Sequence, residues 1–369
     1  MSLDTMSLSL SSAKFSSVVE DDKKQEAFVF PKFVVMGHRG FGMNMLQSPD
    51  EKMKLIKENS ILSFNVAVDF PIDFIEFDVQ VTKDGCPVTF HDIFMYTQEQ
   101  EVITEKRVTE MALHEFLSYG PQMDGSNVKP MLRKTKDGRI FEWKVEKDYP
   151  LCAFEDAFVN VKQSIGFNIE LKFDDTRVYG EEELLQTLDN ILKVVHDHAK
   201  NRPIIFSSFH PDAARLIRTM QRSHPVFFLT NGGSEIYKDV RRNSLDEAIK
   251  LCKESGLQGI VSEVKAILRT PNAITRIKDS NLSLISYGQL NNVVEVIYLQ
   301  YLMGVEGVIV DMVKEITEAI ANIEVRNEGD CGEDDARKCP VMFGEERKKV
   351  NISKDEISFL TKLVPKLLQ

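Results

Sequence analysis

Phe74-Ile75-Glu76-Phe77-Asp78-Val79-Gln80-Val81-Thr82-Lys83-Asp84-Gly85-Cys86-Pro87-Val88-Thr89-Phe90-His91-Asp92 reads as a strand, a tight turn and a returning strand. Thr82 to Gly85 carries the turn signal. Two short strands joined by Asp-Gly form a hairpin, because a parallel return needs about a dozen residues or more. Glu76 and Asp78, two residues apart, point to one side of their strand with Phe74, while Ile75 and Phe77 point to the other. Folding the ribbon at Lys83 and Asp84 brings His91 back beside Glu76. Two carboxylates and an imidazole are thereby gathered at one strand end.

Similar apolar runs recur on both sides: Phe33 to Met36, Phe74 to Phe77, Phe167 to Leu171, Ile204 to Ser207, Val226 to Leu229, Gly259 to Ser262, Leu282 to Ser286 and Val308 to Asp311. Helical periodicity fills the intervals at Asn59 to Asp69, Glu181 to His198, Pro211 to Arg222, Ser244 to Ser255, Thr270 to Asp279 and Asn291 to Met303. Near-continuous apolar strands alternating with helices imply a parallel sheet covered on its faces. Eight such units match a closed α/β barrel of the TIM type, (β/α)8, with the hairpin as an extension of the second strand. Gly120 to Tyr149, which holds the single tryptophan Trp143, reads as a small insertion before the third strand. The expected organisation is a disordered tail over residues 1–28, a barrel domain over 29–324, and a charged loop from 325 leading to an amphipathic helix, Asp355 to Leu368, docked on the barrel. The Ser- and Leu-rich first 17 residues leave a truncated targeting sequence as the alternative to a plain tail.

The formal net charge of -11 works against nonspecific nucleic-acid binding, which needs a basic surface. A phosphate substrate is still admissible, since a few local cations can reverse the field in one pocket. No run approaches the roughly 18 apolar residues of a membrane helix. Five scattered cysteines (Cys86, Cys152, Cys252, Cys331 and Cys339) form no disulfide framework and imply a reducing compartment, cytoplasmic or plastid and not secreted. Nothing in the sequence bears on oligomeric state.

Active sites of such barrels lie at the C-terminal strand ends. Those ends here carry Gly37-His38-Arg39-Gly40, Glu76-Phe77-Asp78, His91-Asp92 from the hairpin, Glu170-Leu171-Lys172, and Ser207-Ser208-Phe209-His210. Inward Glu76, Asp78 and Glu170 would be costly to bury unless a cation neutralises them. Three oxygen donors without cysteine favour one hard divalent ion, Mg²⁺ with Ca²⁺ as the alternative. Inward salt bridges to Arg39 and Lys172 are the competing explanation. His38 and His91 flank the carboxylates and supply what phosphoryl transfer needs, one base for the nucleophile and one acid for the departing alkoxide. Arg39 and Lys172 suit the nonbridging phosphate oxygens. Gly37 and Gly40 either leave room for substrate or serve an ordinary turn.

These residues resemble, in order and spacing, the signatures of the glycerophosphodiester phosphodiesterases. The resemblance rests on Gly37 to Gly40, Glu58-Asn59-Ser60, Glu76 to Gly85, Pro87 to Asp92, Asn168 to Lys172, Phe206 to Phe209 and Gly307 to Asp311. Its details look like the plant branch. It implies a (β/α)8 barrel that cleaves small glycerophosphodiesters to glycerol 3-phosphate and an alcohol with a divalent cation. The metal ligands would be Glu76, Asp78 and Glu170, the acid and base His38 and His91, and the phosphate partners Arg39 and Lys172. Glu58, Asn59, Asp92, Ser208 and Phe209 would support them. Three departures stand out: Lys57 where bacterial members carry proline, Ser286 to Asn291 where many carry a tryptophan, and Ala153 in place of a helix-capping threonine.

A lysophospholipase D-like activity on lipid substrates is the alternative within the same chemistry, and predicts an apolar rim from Phe41, Met43, Met45 and Leu46. A catalytically silent phosphodiester sensor is the alternative from another class.

Overall fold

The computed structural model describes residues 28–99, 102–126 and 128–328. Eight parallel strands close into a barrel: β1 (Val34–His38), β2 (Phe74–Val81), β8 (Gly166–Leu171), β9 (Ile204–Ser208), β10 (Val226–Thr230), β11 (Gly259–Glu263), β12 (Ser283–Tyr287) and β13 (Gly307–Val310). The first strand pairs with both β2 and β13, which seals the cylinder. Each expected strand is present, with most running a residue or two further toward its C-terminal end. Between β2 and β8 lie β3 (Pro87–Thr89), β4 (Phe94–Glu99), β5 (Val102–Arg107), β6 (Leu132–Lys134) and β7 (Ile140–Glu142).

Alternation along β2 separates two cores. Ile75, Phe77, Val79 and Val81 face the helices and join the large outer core with Phe64, Phe154, Phe167 and Leu188. Phe74 faces inward with Val34, Met36, Ile205, Phe227, Leu229, Val261, Ile285 and Ile309, so the barrel is filled and not a pore. Gly166 belongs to this packing: a Cβ there would meet the Phe74 ring at 2.3 Å, so only glycine leaves room for it. At the N-terminal end of the barrel Phe28, Phe30, Phe74 and Phe227 pack edge to face, with centroids 4.9 to 6.3 Å apart. Phe28, at the end of the expected tail, is therefore part of the barrel floor.

The hairpin forms as expected, with β3 antiparallel to β2 and Val79 opposite Thr89. The Phe90 N–H donates to the Asp78 carbonyl at 3.0 Å. This register sets His91 beside Asp78 and Phe77, a step away from its expected neighbour Glu76.

The insertion is larger than the sequence suggested. It begins at β4 and builds a four-stranded antiparallel sheet in the order β5-β4-β6-β7, of which the span Gly120 to Tyr149 holds only β6 and β7. Its own core contains Val88, Phe90, Met95, Val108, Met111, Phe116 and Trp143. β5 escaped notice because it is an exposed edge strand with no buried face to generate an apolar alternation.

Among the helices, α4 (Glu181–His198) matches expectation to the residue. α1 (Ile61–Val68), α5 (Pro211–Met220), α6 (Leu245–Ser255), α8 (Asn272–Asp279) and α9 (Val294–Met303) occupy their expected intervals. α3 (Phe154–Asn160) begins at the capping position expected at Ala153, whereas the sequence reading did not include α2 (Leu113–Phe116), α7 (Val264–Arg269) and α10 (Val313–Glu328). Without threonine at Ala153, α3 is capped from the other side, the Asp156 carboxylate accepting from the Ala153 N–H at 2.9 Å. α10 passes the expected start of the charged loop at Val325; the rest of that loop and the Asp355 to Leu368 helix lie outside the described residues.

Candidate active site

The strand ends bring together His38 from β1, Glu76 and Asp78 from β2, His91 after β3, and Glu170 and Lys172 at the end of β8. One oxygen from each of Glu76, Asp78 and Glu170 lies within 4.8 Å of the others, and all three carboxylates are buried. Burial pushes Glu76 up to about 8, opposed by His38 and reinforced by Asp78 and Glu170. Glu170 is also pushed up by burial, against the pull of Lys172. Asp78, although buried, is held down by His91, Arg39 and Lys172. Its Oδ1 has no hydrogen-bond partner despite being fully buried. Three crowded carboxylates, one with an oxygen that accepts no hydrogen bond, fit a hard divalent cation and make a poor resting place for three negative charges alone.

The cations expected at the phosphate stand against this cluster. Lys172 Nζ lies 2.8 Å from Glu170 and 3.5 Å from Asp78, and Arg39 Nε 3.3 Å from Asp78. The salt bridges weighed as a competing explanation thus exist; the contact of Lys172 with Asp78 is an ion pair to Oδ1, which still accepts no hydrogen bond. Arg39 takes a left-handed backbone, φ 51°, and its N–H donates to Glu76 at 3.0 Å. Gly37 and Gly40 serve this turn. A Cβ at Gly37 would meet the Gly40 carbonyl at 2.2 Å and one at Gly40 would meet Ser63 Oγ at 2.4 Å, so both approach protein and not ligand.

Each histidine has its own carboxylate. His38 Nδ1 lies 2.7 Å from Asp311, just past β13, and its Nε2 is 3.8 Å from Glu76. Burial would lower the His38 pKa, but Asp311 and Glu76 outweigh it and raise it. His91 Nδ1 lies 2.7 Å from Asp92. Burial, with Arg39 and Lys172 nearby, holds His91 well below the usual value despite Asp78. The two imidazoles are thus pushed in opposite directions.

Of the supporting residues, Asn59 clasps Asp78, its Nδ2 donating to Oδ2 at 2.9 Å and its Oδ1 accepting from the Asp78 N–H at 3.2 Å. Glu58 accepts from Arg39 at 2.8 Å, twice from Arg133 at 2.9 and 3.0 Å, and from the Asn44 N–H. Burial opposes its charge, but Arg133 and Arg39 hold its pKa down to about 2. Ser208 does not reach the cluster; its hydroxyl donates to the Leu171 carbonyl at 2.8 Å, tying β9 to β8. Phe209 stands across the mouth against Tyr287, centroids 5.9 Å apart.

Sequence reasoning missed Asp311, its partner Asn292 and Arg133. Asp311 could have been found, since it ends the eighth apolar run at the face where sites lie. Asn292 holds it, donating to Asp311 Oδ2 at 2.9 Å and accepting from its N–H at 2.8 Å. Arg133 gave no signal, because nothing local marks one arginine of a charged insertion. Of the expected apolar rim, Phe41 packs on Phe70, Leu46 packs on the insertion core, and all four residues, with Met43 and Met45, are half-buried.

The glycerophosphoryl diester phosphodiesterase family model matches residues 38–315, a span that holds every group in this cluster. The chain belongs to that family. A glycerophosphodiester phosphodiesterase of Arabidopsis thaliana, GDPD3, is 83% identical over the whole of both chains. A second from the same plant, GDPD1, described as chloroplastic, is 57% identical over 92% of this chain and 91% of its own. The chain is therefore an enzyme, a glycerophosphodiester phosphodiesterase of the plant-type branch. The glycerophosphocholine phosphodiesterase gde1 of Schizosaccharomyces pombe is 32% identical over 80% of this chain, which corresponds to 29% of that longer protein. An Oleispira antarctica phosphodiesterase solved with the product sn-glycerol-3-phosphate shares the family fold at TM-score 0.55 and 18% identity, covering 78% of this chain and 96% of its own. Among the described residues no helix is long and apolar enough to cross a membrane.

Proposed function

We propose that the enzyme hydrolyses glycerophosphodiesters such as glycerophosphocholine to sn-glycerol 3-phosphate and the free alcohol, with a divalent cation, Mg²⁺ or Ca²⁺, held by Glu76, Asp78 and Glu170. The observation that carries this is the buried trio of carboxylates, in which Asp78 Oδ1 accepts no hydrogen bond, flanked by histidines of opposite pKa shift. A bound cation would supply charge neutralisation at the phosphate and lower the pKa of a coordinated hydroxyl.

Arg39 and Lys172 turn from their carboxylates to the nonbridging oxygens of the phosphate, where a planar fork and a point charge divide the work. The glycerol hydroxyl next to the diester attacks phosphorus. His91, neutral and hydrogen-bonded through Nδ1 to Asp92, takes the hydroxyl proton. His38, held protonated by Asp311, gives its proton to the departing alkoxide as the bond to phosphorus breaks. Water then opens the cyclic phosphate with the two histidines in exchanged roles. Direct attack by water would use the same groups. The free thiols of Cys86, Cys152 and Cys252 support a reducing compartment, cytoplasmic or plastid.

The deciding experiment is release of sn-glycerol 3-phosphate from glycerophosphocholine by purified protein with Mg²⁺, with Ca²⁺ and with EDTA. Metal-dependent release abolished by EDTA is the expected result. Folded protein that releases product equally well in EDTA would overturn the cation assignment.

A further inference from the structure

Arg133 sits on β6, in the insertion, paired with Phe141 of β7, yet its side-chain hydrogen bonds run outside the insertion sheet. Its Nη1 donates to the Asn44 carbonyl at 2.9 Å and to Glu58 Oε2 at 3.0 Å. Its Nη2 donates to Glu58 Oε1 at 2.9 Å and to Asp92 Oδ1 at 2.8 Å. The guanidinium lies 4.3 Å from the Trp143 ring centroid and the side chain is only 9% exposed. Both carboxylates it bridges hold a proposed working group: Asp92 holds His91 at 2.7 Å and Glu58 holds Arg39 at 2.8 Å.

We infer that Arg133 is a positioning residue, through which the insertion sets the orientation of His91 and Arg39 at once. A clamp needed only to dock the insertion would be served at lower desolvation cost by an apolar contact. A planar fork is the side chain suited to fixing two carboxylates in one geometry. Asp92 without it could rotate away from His91 Nδ1, releasing the ring. Glu58 without it could swing with Arg39, shifting the phosphate contact. The insertion is thereby part of the catalytic apparatus, although the carboxylates of the cluster, Glu76, Asp78 and Glu170, come from the barrel strands alone.

The inference rests on the assignment of His91 and Arg39 above, so the test includes His91→Ala. Arg133→Met keeps the stem over Trp143 and removes the fork; Arg133→Ala leaves a guanidinium-sized space; Arg133→Lys keeps the charge but cannot bridge both carboxylates. Arg139→Ala, on an exposed arginine of the same hairpin, is the control and should leave activity unchanged. Emission of Trp143, the single tryptophan, reports folding of the insertion in each.

The expected result is a fall in kcat on the order of 10²-fold for Arg133→Met and Arg133→Ala, since misplacement by about 1 Å can cost that much. KM should move by less than about three-fold. Millimolar guanidinium, but not sodium at equal ionic strength, should restore part of the kcat of Arg133→Ala, which a purely structural defect would not allow. Wild-type kcat in the folded Met and Ala variants, a loss confined to KM, or absence of guanidinium rescue would each overturn the positioning role. Should those two variants fail to fold, Arg133→Lys decides, and wild-type kcat there overturns it. Near-normal turnover by His91→Ala would overturn the assignment of His91 itself. A dead His91→Ala beside fully active Arg133 variants would sink only the inference about Arg133.

Discussion

His38 Nδ1 and Asp311 Oδ1 lie 2.7 Å apart across the seam where the barrel closes, although 273 positions separate them in the chain. β1 and β13 run side by side here, with Gly37 opposite Val310, so the strand ends deliver both groups to one spot. Asp311 is itself fixed by Asn292 and by the Met43 N–H at 3.1 Å. An imidazole so held has a defined tautomer and, through the carboxylate charge, a raised pKa.

Asp311→Asn should keep the barrel folded and lower kcat roughly 10²-fold, the scale of a lost acid–base contribution. His38 is raised at present, so its acid form persists to higher pH. Removing the charge lowers that pKa and moves the alkaline limb of the kcat–pH profile downward. An unshifted limb in the variant would show that Asp311 does not govern the proton on His38.

Leaving groups separate the two histidines. With a p-nitrophenyl ester of glycerol phosphate the departing phenolate needs no proton, so His38→Ala should recover most of the first-step rate, read as single-turnover release of p-nitrophenolate. His91→Ala should stay on the order of 10²-fold slow with either substrate, because base catalysis is still required. Equal rescue of both variants would reverse or abolish the assignment.

The carboxylate trio predicts that cation binding releases a proton. Glu76 stands at about 8 without a cation, mainly through burial, so ion affinity should rise with pH until that value is passed. Calorimetry in buffers of different ionisation enthalpy would read the released proton directly. Glu170→Gln should abolish the cation-dependent rise in Tm and, by removing like-charge crowding, increase the Tm of the cation-free protein. A Glu170→Gln protein still stabilised by the ion would remove Glu170 from the ligand set.

Lys57 is buried, its Nζ 4.1 Å from the Trp143 centroid, and burial lowers its pKa to about 8 despite Asp148 and Glu58. Between that value and the ordinary 10.5 the unfolded chain binds more protons than the folded one, so stability should rise with pH across this window. Trp143 emission should titrate near the lower end. Lys57→Met should flatten both profiles and be neutral or stabilising below them, because a costly buried charge is gone. An unchanged emission titration in Lys57→Met would assign the transition to another group.

The barrel was legible because its strands are buried on both faces and so read as unbroken apolar runs. Glu76, Asp78 and Glu170 were legible because carboxylates on inward positions of such strands are conspicuous. What the sequence concealed depends on long-range pairing. Asp311 acquires its meaning only when β13 meets β1, and Arg133 only when the insertion folds back on Glu58. β5 lacked a pattern because Val102 and Ile103 are exposed on an edge strand. His91 was misplaced by one neighbour because the hairpin register, set by the bond from Phe90 to Asp78, cannot be counted from the turn alone.

The rings of Phe28, Phe30, Phe74 and Phe227 stopper the barrel at the end away from the site. A molecule that reaches the strand ends carrying His38, Glu76 and Glu170 must come and go by one opening. The site is a blind-ended vessel, so whatever has just formed there has to clear that opening before the next substrate can enter.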